Sequence, residues 1–238
     1  MIVTCTSEEV AICSVKSIFH ILQTIDDEQQ KVYLSNYIEL IHTSNTIAGS
    51  HLHEELAKSL KIVLTCAINE EIVLLLRHIG FFLRVLVKSM AEFVIETQKI
   101  KMRRQERFSS DFCNQITQLT DALISYISSR IRDHSAEAKA ANASLAHFLS
   151  RSLSLMDRGF IFNIIKSCLE AFSSSLILHE LKFSFLSIIT SHEHFIALNL
   201  PLKVNNFGLT RDYCKNHFLV GILLQELNTA LSQVHHVR

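Results

Sequence analysis

Two histidines separated by one residue are the first feature of this sequence whose type and spacing could do chemistry. His192 and His194 flank Glu193, and imidazole and carboxylate groups are common ligands of zinc. An H-x-H spacing brings both rings to one metal only on an extended segment, and the sequence suggests no third ligand. We therefore predict no metal site and interpret both histidines as loop residues. Weaker candidates of the same kind are His51 with His53 and His235 with His236.

Nucleophilic catalysis has little support in the sequence. Cys214 and His217 fall on one predicted helix, but nothing evident orients the histidine as a base. The serines include no G-x-S-x-G elbow. The five glycines, at positions 49, 80, 159, 208 and 221, lie too far apart for the phosphate-binding motifs G-x-x-x-x-G-K-[ST] and G-x-G-x-x-G. We predict no catalytic residue, no cofactor and no cofactor-binding residue, and therefore no enzyme.

One segment concentrates positive charge near the predicted end of the fourth helix, where the helix dipole favours cations. Its members are Lys99, Lys101, Arg103, Arg104 and Arg107. The whole chain, in contrast, has 23 basic and 23 acidic residues, so no global field steers it toward nucleic acid. We interpret the cluster as a solvated helix terminus, with a site for an acidic partner or a lipid headgroup as the alternative.

The composition predicts an all-α fold. Hydrophobic residues make up 48% of the 238 residues, whereas Gly totals 5 and Pro 1, which is too few for many β-turns or a βαβ series. A chain of this length buries well over half of its unfolded surface, so it needs neither a disulfide nor a metal to fold.

Targeting and redox features favour a cytoplasmic protein. The first residues lack the basic segment and apolar core of a secretory signal. The most apolar window, residues 72–87, contains Arg77, His78 and Arg84 and is too short to be a transmembrane segment. Six cysteines, at positions 5, 13, 66, 113, 168 and 214, include no C-x-x-C pair. We interpret them as buried free thiols in a reducing compartment.

The stretch from Leu149 to Phe172 joins two apolar helices and organises the chain. Apolar residues recur at helical spacing on both sides of a joint at residues 156–160. Asp157 can accept the first free N–H groups of the second helix, and Gly159 permits a backbone angle that other residues resist. The sequence therefore predicts a helix hairpin here.

Caps and apolar stripes of the same kind predict about nine helices. Their starts fall near Ser7, Asp26, His51, Asn69, Ser109, Ser135, Asp157, Ser175 and Thr210. Gly80 marks either a break in the fourth helix or a close helix crossing. Residues 192–209 hold the one proline, Pro201, and predict an irregular loop.

Paired helices of roughly 40–45 residues per hairpin match the periods of armadillo or HEAT stacks. We predict one α-solenoid of stacked antiparallel helix hairpins over residues 1–238. No consensus repeat is visible in the letters, so a compact multi-helix domain is the structural alternative.

Five segments, in order, resemble the dedicator-of-cytokinesis (DOCK) family, in particular its Zizimin-like C and D subgroups. They read FFL with LVKSMA within 81–91, RF at 107–108, SLA with MDRGF within 144–160, SHEHF with LNLP within 191–201, and NHFLVG at 216–221. The resemblance is strongest over residues 81–231, and the first 70 residues fit more loosely.

The resemblance implies a place in a much larger protein. Family members are long cytosolic guanine nucleotide exchange factors for Rho-family small GTPases. In them a phosphoinositide-binding C2-like domain precedes an armadillo-like helical region, and the exchange domain lies near the C-terminus. We expect this chain to be part of the helical region, as a fragment, a truncated gene model or a short isoform. No stretch aligns with the exchange domain, so the resemblance supplies no catalytic residue.

Three hypotheses follow for function. The leading one is a non-catalytic helical scaffold of a DOCK exchange factor, which spaces domains, binds protein partners or self-associates, and serves a Rho-family GTPase through the parent protein. The second is a stand-alone helical adaptor that binds a partner through residues 99–107. The third is a metal-dependent enzyme at His192 and His194.

Overall fold

Helices form all the regular secondary structure in the residues that the computed structural model describes, which are 8–25, 28–40, 51–173, 175–194 and 218–235. The α-helices are α1 Glu8–Gln23, α2 Glu28–Leu40, α3 Leu52–Cys66, α4 Asn69–Glu96, α5 Ser110–Arg130, α6 Ser135–Leu155, α7 Arg158–Phe172, α8 His179–Thr190 and α9 Phe218–His235. Three 3₁₀ turns accompany them, at Lys99–Lys101, Arg104–Glu106 and Leu176–Leu178. The predicted all-α fold is confirmed.

The first eight helices lie in two rows. One row contains α1, α3, α5 and α7, and the other contains α2, α4, α6 and α8, because the most extensive contacts join helices two places apart along the chain, as in α4 with α6, α3 with α5 and α6 with α8. Consecutive helices cross between the rows, as α3 and α4 or α5 and α6 do. This pairing is the arrangement of a solenoid of helix hairpins, as the sequence predicts.

The centre of the molecule is the pair α4 and α6. Leu76, Ile79 and Leu86 on α4 and Leu145 and Leu149 on α6 are fully buried. Small side chains let these helices approach closely, and the fully or almost fully buried ones on α6 are Ala138, Ala141 and Ala146. The apolar window at residues 72–87 is therefore the middle of the stack.

Gly80 marks the closest crossing of α4 and α6. A Cβ added to Gly80 would lie 2.6 Å from Ser144 Oγ, closer than atoms in contact can approach. One helical turn earlier, Arg77 forms an ion pair with Glu137, and the order of the two contacts shows that α4 and α6 run parallel. Of the two predictions for Gly80, the close crossing is right, because α4 continues without a break through this position.

The joint between α6 and α7 is shorter than the sequence predicts. Only Met156 and Asp157 lie outside the helices, and Asp157 Oδ2 accepts a hydrogen bond from the Phe160 N–H at 2.9 Å, which caps α7 as expected. Gly159, however, is the second residue of α7. Its expected role as a residue with a special backbone angle is wrong, because a helical conformation suits any residue.

The two ends of the stack leave apolar side chains exposed. On α2 they are Val32, Tyr33, Tyr37 and Leu40, and on α9 they are Leu224, Leu227 and Leu231. An ion pair between buried Lys182 on α8 and Glu226 attaches α9 to the rest of the stack, and Lys182 also donates to Ser173 Oγ at 2.7 Å.

Some predictions concern residues outside the described ranges. Most of the loop at 192–209, the cap at Thr210, and Cys5, Cys214, His217 and His236 belong to this group. Within the described residues, no helix is both long enough and apolar enough to cross a bilayer.

Candidate interaction surface

The basic cluster does not lie on a helix terminus. Helix α4 ends at Glu96, and Gln98 then adopts a left-handed backbone conformation with φ of 56°, which turns the chain away from the helix axis. Two 3₁₀ turns follow, and they carry three of the five cations, Lys99, Lys101 and Arg104, while Arg103 and Arg107 flank the second turn. The interpretation of these residues as a solvated end of the fourth helix is therefore wrong in its placement.

Arg107 is also not a solvated cation. Its side chain is buried and donates to the carbonyl oxygens of Ile100 at 3.0 Å and Leu155 at 3.3 Å. The Leu155 carbonyl belongs to the last turn of α6, where backbone carbonyls lack helical partners, so Arg107 supplies its hydrogen bond. Burial, assisted by the nearby charge of Arg104, lowers the pKa of Arg107. Arg107 thus fixes the base of the α4–α5 connection, and a partner cannot reach it.

The other cations of the cluster divide into two kinds. Lys99 lies over the ring of Phe93, with Nζ 4.5 Å from the ring centroid, and donates to the Arg107 carbonyl at 3.1 Å. Lys101, Arg103 and Arg104 are exposed. The sequence suggests five exposed cations in this cluster, but only these three side chains present their positive charge to solvent.

Next to this connection, His53 is enclosed by aromatic rings. Its ring centroid lies 5.0 Å from that of Phe93 and 4.9 Å from that of Phe112. Ser89 Oγ accepts from the His53 backbone N–H at 3.1 Å and lies 3.3 Å from Nδ1. Desolvation, assisted by His51 and Lys99, lowers the pKa of His53 to about 3. The ring is therefore neutral at pH 7 and serves packing.

His192 and His194 bond to the protein itself. His192 Nδ1 accepts from the His194 backbone N–H at 3.0 Å, and its Nε2 lies 3.3 Å from Ser154 Oγ. Both nitrogens of His192 are therefore engaged. In the part of the chain that the structure describes, no group of three or more His, Cys, Asp or Glu side chains is placed to hold a metal ion.

The four described cysteines are free thiols, but they are not all buried. Cys13 and Cys66 are exposed, Cys113 is half-buried and Cys168 is buried. The prediction of buried thiols is wrong for the first two. Burial raises the pKa of Cys168, which keeps this thiol protonated and unreactive.

A cleft of about 570 Å³ lies between the first hairpin and the pair α4 and α6. Arginine and histidine side chains line it together with an apolar floor, and these residues are Arg77, His78, Arg84, His147 and Arg151. Sequence analysis missed this surface, because it registers Arg77 and Arg84 only as interruptions of an apolar window. Their spacing of seven residues, two helical turns, is the signal that could have placed them on one face.

Two rows of stacked helices with open clefts define an α-helical repeat domain. The comparison with known families agrees. Residues 1–190 match the family described as "DOCK6-11, TPR domain", and the chain belongs to this family. Its hairpins begin at Glu8, Leu52, Ser110 and Arg158, and all three intervals exceed the 34 residues of a typical TPR repeat.

Curated relatives cover nearly the whole chain. Dedicator of cytokinesis protein 9 from Mus musculus is 34% identical over 98% of this chain, and protein 11 from Danio rerio is 32% identical over 97%. Dedicator of cytokinesis protein 7 from Homo sapiens is 32% identical over 75%. The chain spans only 10–13% of the length of these relatives. No solved structure matches it significantly.

Proposed function

We propose that this chain is a non-catalytic helical scaffold segment of a DOCK-family guanine nucleotide exchange factor for Rho-family small GTPases. The observation that carries the proposal is the two-row stack, in which the buried side chains of His53 and Arg107 and the half-buried side chain of Asp157 serve packing and capping. His53, Arg107 and Asp157 all bond backbone or side-chain groups of the stack. A rigid array of this kind positions other parts of a protein relative to one another.

We further infer the Zizimin-like C/D subgroup, a position between the C2-like and exchange domains, and a cytoplasmic location. The family description and the dedicator-of-cytokinesis relatives support the first inference. The exposed apolar stripes of α2 and α9 support a place within a larger protein, because solenoid arrays need polar caps where their ends meet water. Self-association through the same stripes is the other arrangement that would cover them.

A nucleotide-release assay tests the scaffold role. Rho-family GTPases loaded with a fluorescent GDP analogue are mixed with purified residues 1–238, and the release rate is compared with the intrinsic rate. EDTA, which removes Mg²⁺, serves as the positive control. We expect the chain to leave the rate unchanged. An acceleration that grows with the concentration of the chain refutes a non-catalytic role.

A stand-alone adaptor is the second candidate, and three exposed cations, Lys101, Arg103 and Arg104, favour it. Because Arg107 is buried, the basic surface available to a partner is smaller than the sequence of residues 99–107 suggests. Pull-downs with Arg103→Glu and Arg104→Glu separate the two roles, since a spacer loses no partner through these changes.

A further inference from the structure

The cleft beside α4 carries a local excess of positive charge. Among the residues that the structure describes, its lining includes three arginines and two histidines but no aspartate or glutamate, although the whole chain has equal numbers of basic and acidic residues. In a concave site with apolar walls, such an imbalance focuses the field on an anionic ligand. The composition of the lining therefore favours a negatively charged ligand.

Two of these arginines, Arg84 and Arg151, have positive charge available for a ligand. Arg84 donates to Ser35 Oγ at 2.6 Å, a neutral partner that orients the guanidinium and links α4 to α2. Arg151 is exposed, and among the described residues no carboxylate forms an ion pair with either side chain. Arg77, in contrast, is paired with Glu137 at 2.6 Å and contributes less.

The arginine and histidine side chains follow the walls of the cleft for about two helical turns. Arg77 and Arg84 are seven residues apart on α4, which corresponds to roughly 10 Å along the axis. His147 and Arg151 are one turn apart on the parallel helix α6. The spacing matches an elongated ligand with several anionic groups better than a single phosphate.

The floor of the cleft is apolar. Leu34 and Ile38 of α2 face it from one side, and Phe81 and Phe148 from the other. A ligand that fills this space needs apolar side chains at its centre and carboxylates at its margins, because guanidinium groups pair best with carboxylate or phosphate oxygens. An acidic amphipathic peptide has both.

We propose that this cleft binds an acidic amphipathic segment of a partner protein, seated between α2 and the pair α4 and α6. The apolar face of the segment contacts Leu34, Ile38 and Phe81, while its carboxylates pair with Arg84 and Arg151. This is a recognition function in addition to the spacing role. A bilayer fits less well, because the apolar residues form the bottom of a concavity and cannot insert into lipid.

Fluorescence anisotropy tests the proposal with a labelled 16-residue peptide that has leucines at helical spacing and glutamates at the flanking positions. We expect the intact chain to bind it, and to ignore a matched peptide with lysines in place of the glutamates. Arg151→Glu, a change at an exposed position, should weaken binding at least about tenfold. Arg84→Gln provides a second, uncharged change at the opposite wall.

Arg132→Glu is the matched control, since this exposed arginine at the α5–α6 connection lies outside the cleft. The proposal is overturned if Arg132→Glu weakens peptide binding as much as Arg151→Glu does. It is also overturned if Arg151→Glu does not weaken peptide binding. Binding to vesicles of phosphatidylcholine with phosphatidylserine, without binding to the peptide, overturns it in favour of a lipid surface. None of these outcomes changes the nucleotide-release result, so the scaffold role is tested separately.

Discussion

At the scale of single residues, Arg107 links the α4–α5 connection to the end of α6. Replacement by methionine keeps apolar contact but leaves the carbonyls of Ile100 and Leu155 without their charged donor. We expect a loss of roughly 2–3 kcal/mol in the free energy of unfolding, because buried acceptors lose a hydrogen bond from a cation. Urea denaturation followed by circular dichroism measures this loss.

Arg103→Met is the control for that measurement, since Arg103 is exposed and four residues away. We expect a change within about 0.5 kcal/mol for this variant. If both variants lose the same stability, Arg107 has no special role in joining the two elements.

His53 predicts an acid-sensitive fold. Its pKa is about 3 in the folded chain and near 6.5 when unfolded, so the unfolded state binds a proton that the folded state excludes. The neutral His53 ring therefore contributes fully to the free energy of unfolding above pH 6.5. This contribution falls by about 1.4 kcal/mol per pH unit as the pH decreases from 6.5 toward 3.

The non-titrating variant His53→Gln should therefore show a smaller fall in the free energy of unfolding between pH 6.5 and pH 4.5 than the unchanged chain. Denaturation curves at four pH values give both slopes. His134→Gln, at a partly exposed position, serves as the control. Parallel slopes for the original chain and His53→Gln contradict the assignment of a buried neutral ring.

At the scale of helices, the crossing of α4 and α6 depends on Gly80 and Ser144. Gly80→Val should destabilise the chain by about 1–3 kcal/mol, because its branched side chain has no room at the crossing. In a Ser144→Ala background, Gly80→Ala should instead raise the free energy of unfolding by up to about 1 kcal/mol through its higher helix propensity. The Ser144 Oγ atom, which lies 2.6 Å from the added Cβ, is absent in that background.

A double-mutant cycle of Gly80→Ala and Ser144→Ala measures this coupling by thermal or urea unfolding. Ser144 Oγ also donates to the Ala140 carbonyl at 2.8 Å, so the single Ser144→Ala change is part of the cycle. Strictly additive effects would show that the two positions do not touch.

Helices are also the level at which the sequence predicts most reliably. The spacing of Phe112, Ile116 and Leu119 places the core side of α5, and Ser109 caps it through the Phe112 N–H at 3.2 Å, as local patterns predict. The role of Arg107 and the cleft are different, because they depend on distant pairs: Arg107 and Leu155 are 48 positions apart, and Arg84 and Ser35 are 49 apart. Periodicity within one helix contains no information about such partners.

At the scale of the whole molecule, stability should fall from the centre of the stack toward α2. Each helix hairpin packs mainly against the neighbouring hairpins, α4 and α6 share the most extensive contact, and α2 touches α4 over a small area with much apolar surface exposed. Local opening therefore costs least at α2.

Amide hydrogen exchange followed by mass spectrometry measures this gradient. We expect peptides from residues 76–90 and 141–153 to exchange slowest and peptides from residues 32–40 to exchange much faster. Uniform protection across these segments would indicate one all-or-none unit instead of a nearest-neighbour array.

The two-row arrangement also determines how the protein responds to mechanical load. A pulling force between its ends crosses each interface in series, so within the first eight helices the small interface between α2 and α4 sets the force at which the stack first yields. The connections Ala67–Ile68 and Met156–Asp157 are only two residues long and leave little slack between the rows. Below that yield force, displacement at one end is transmitted to the other with little loss.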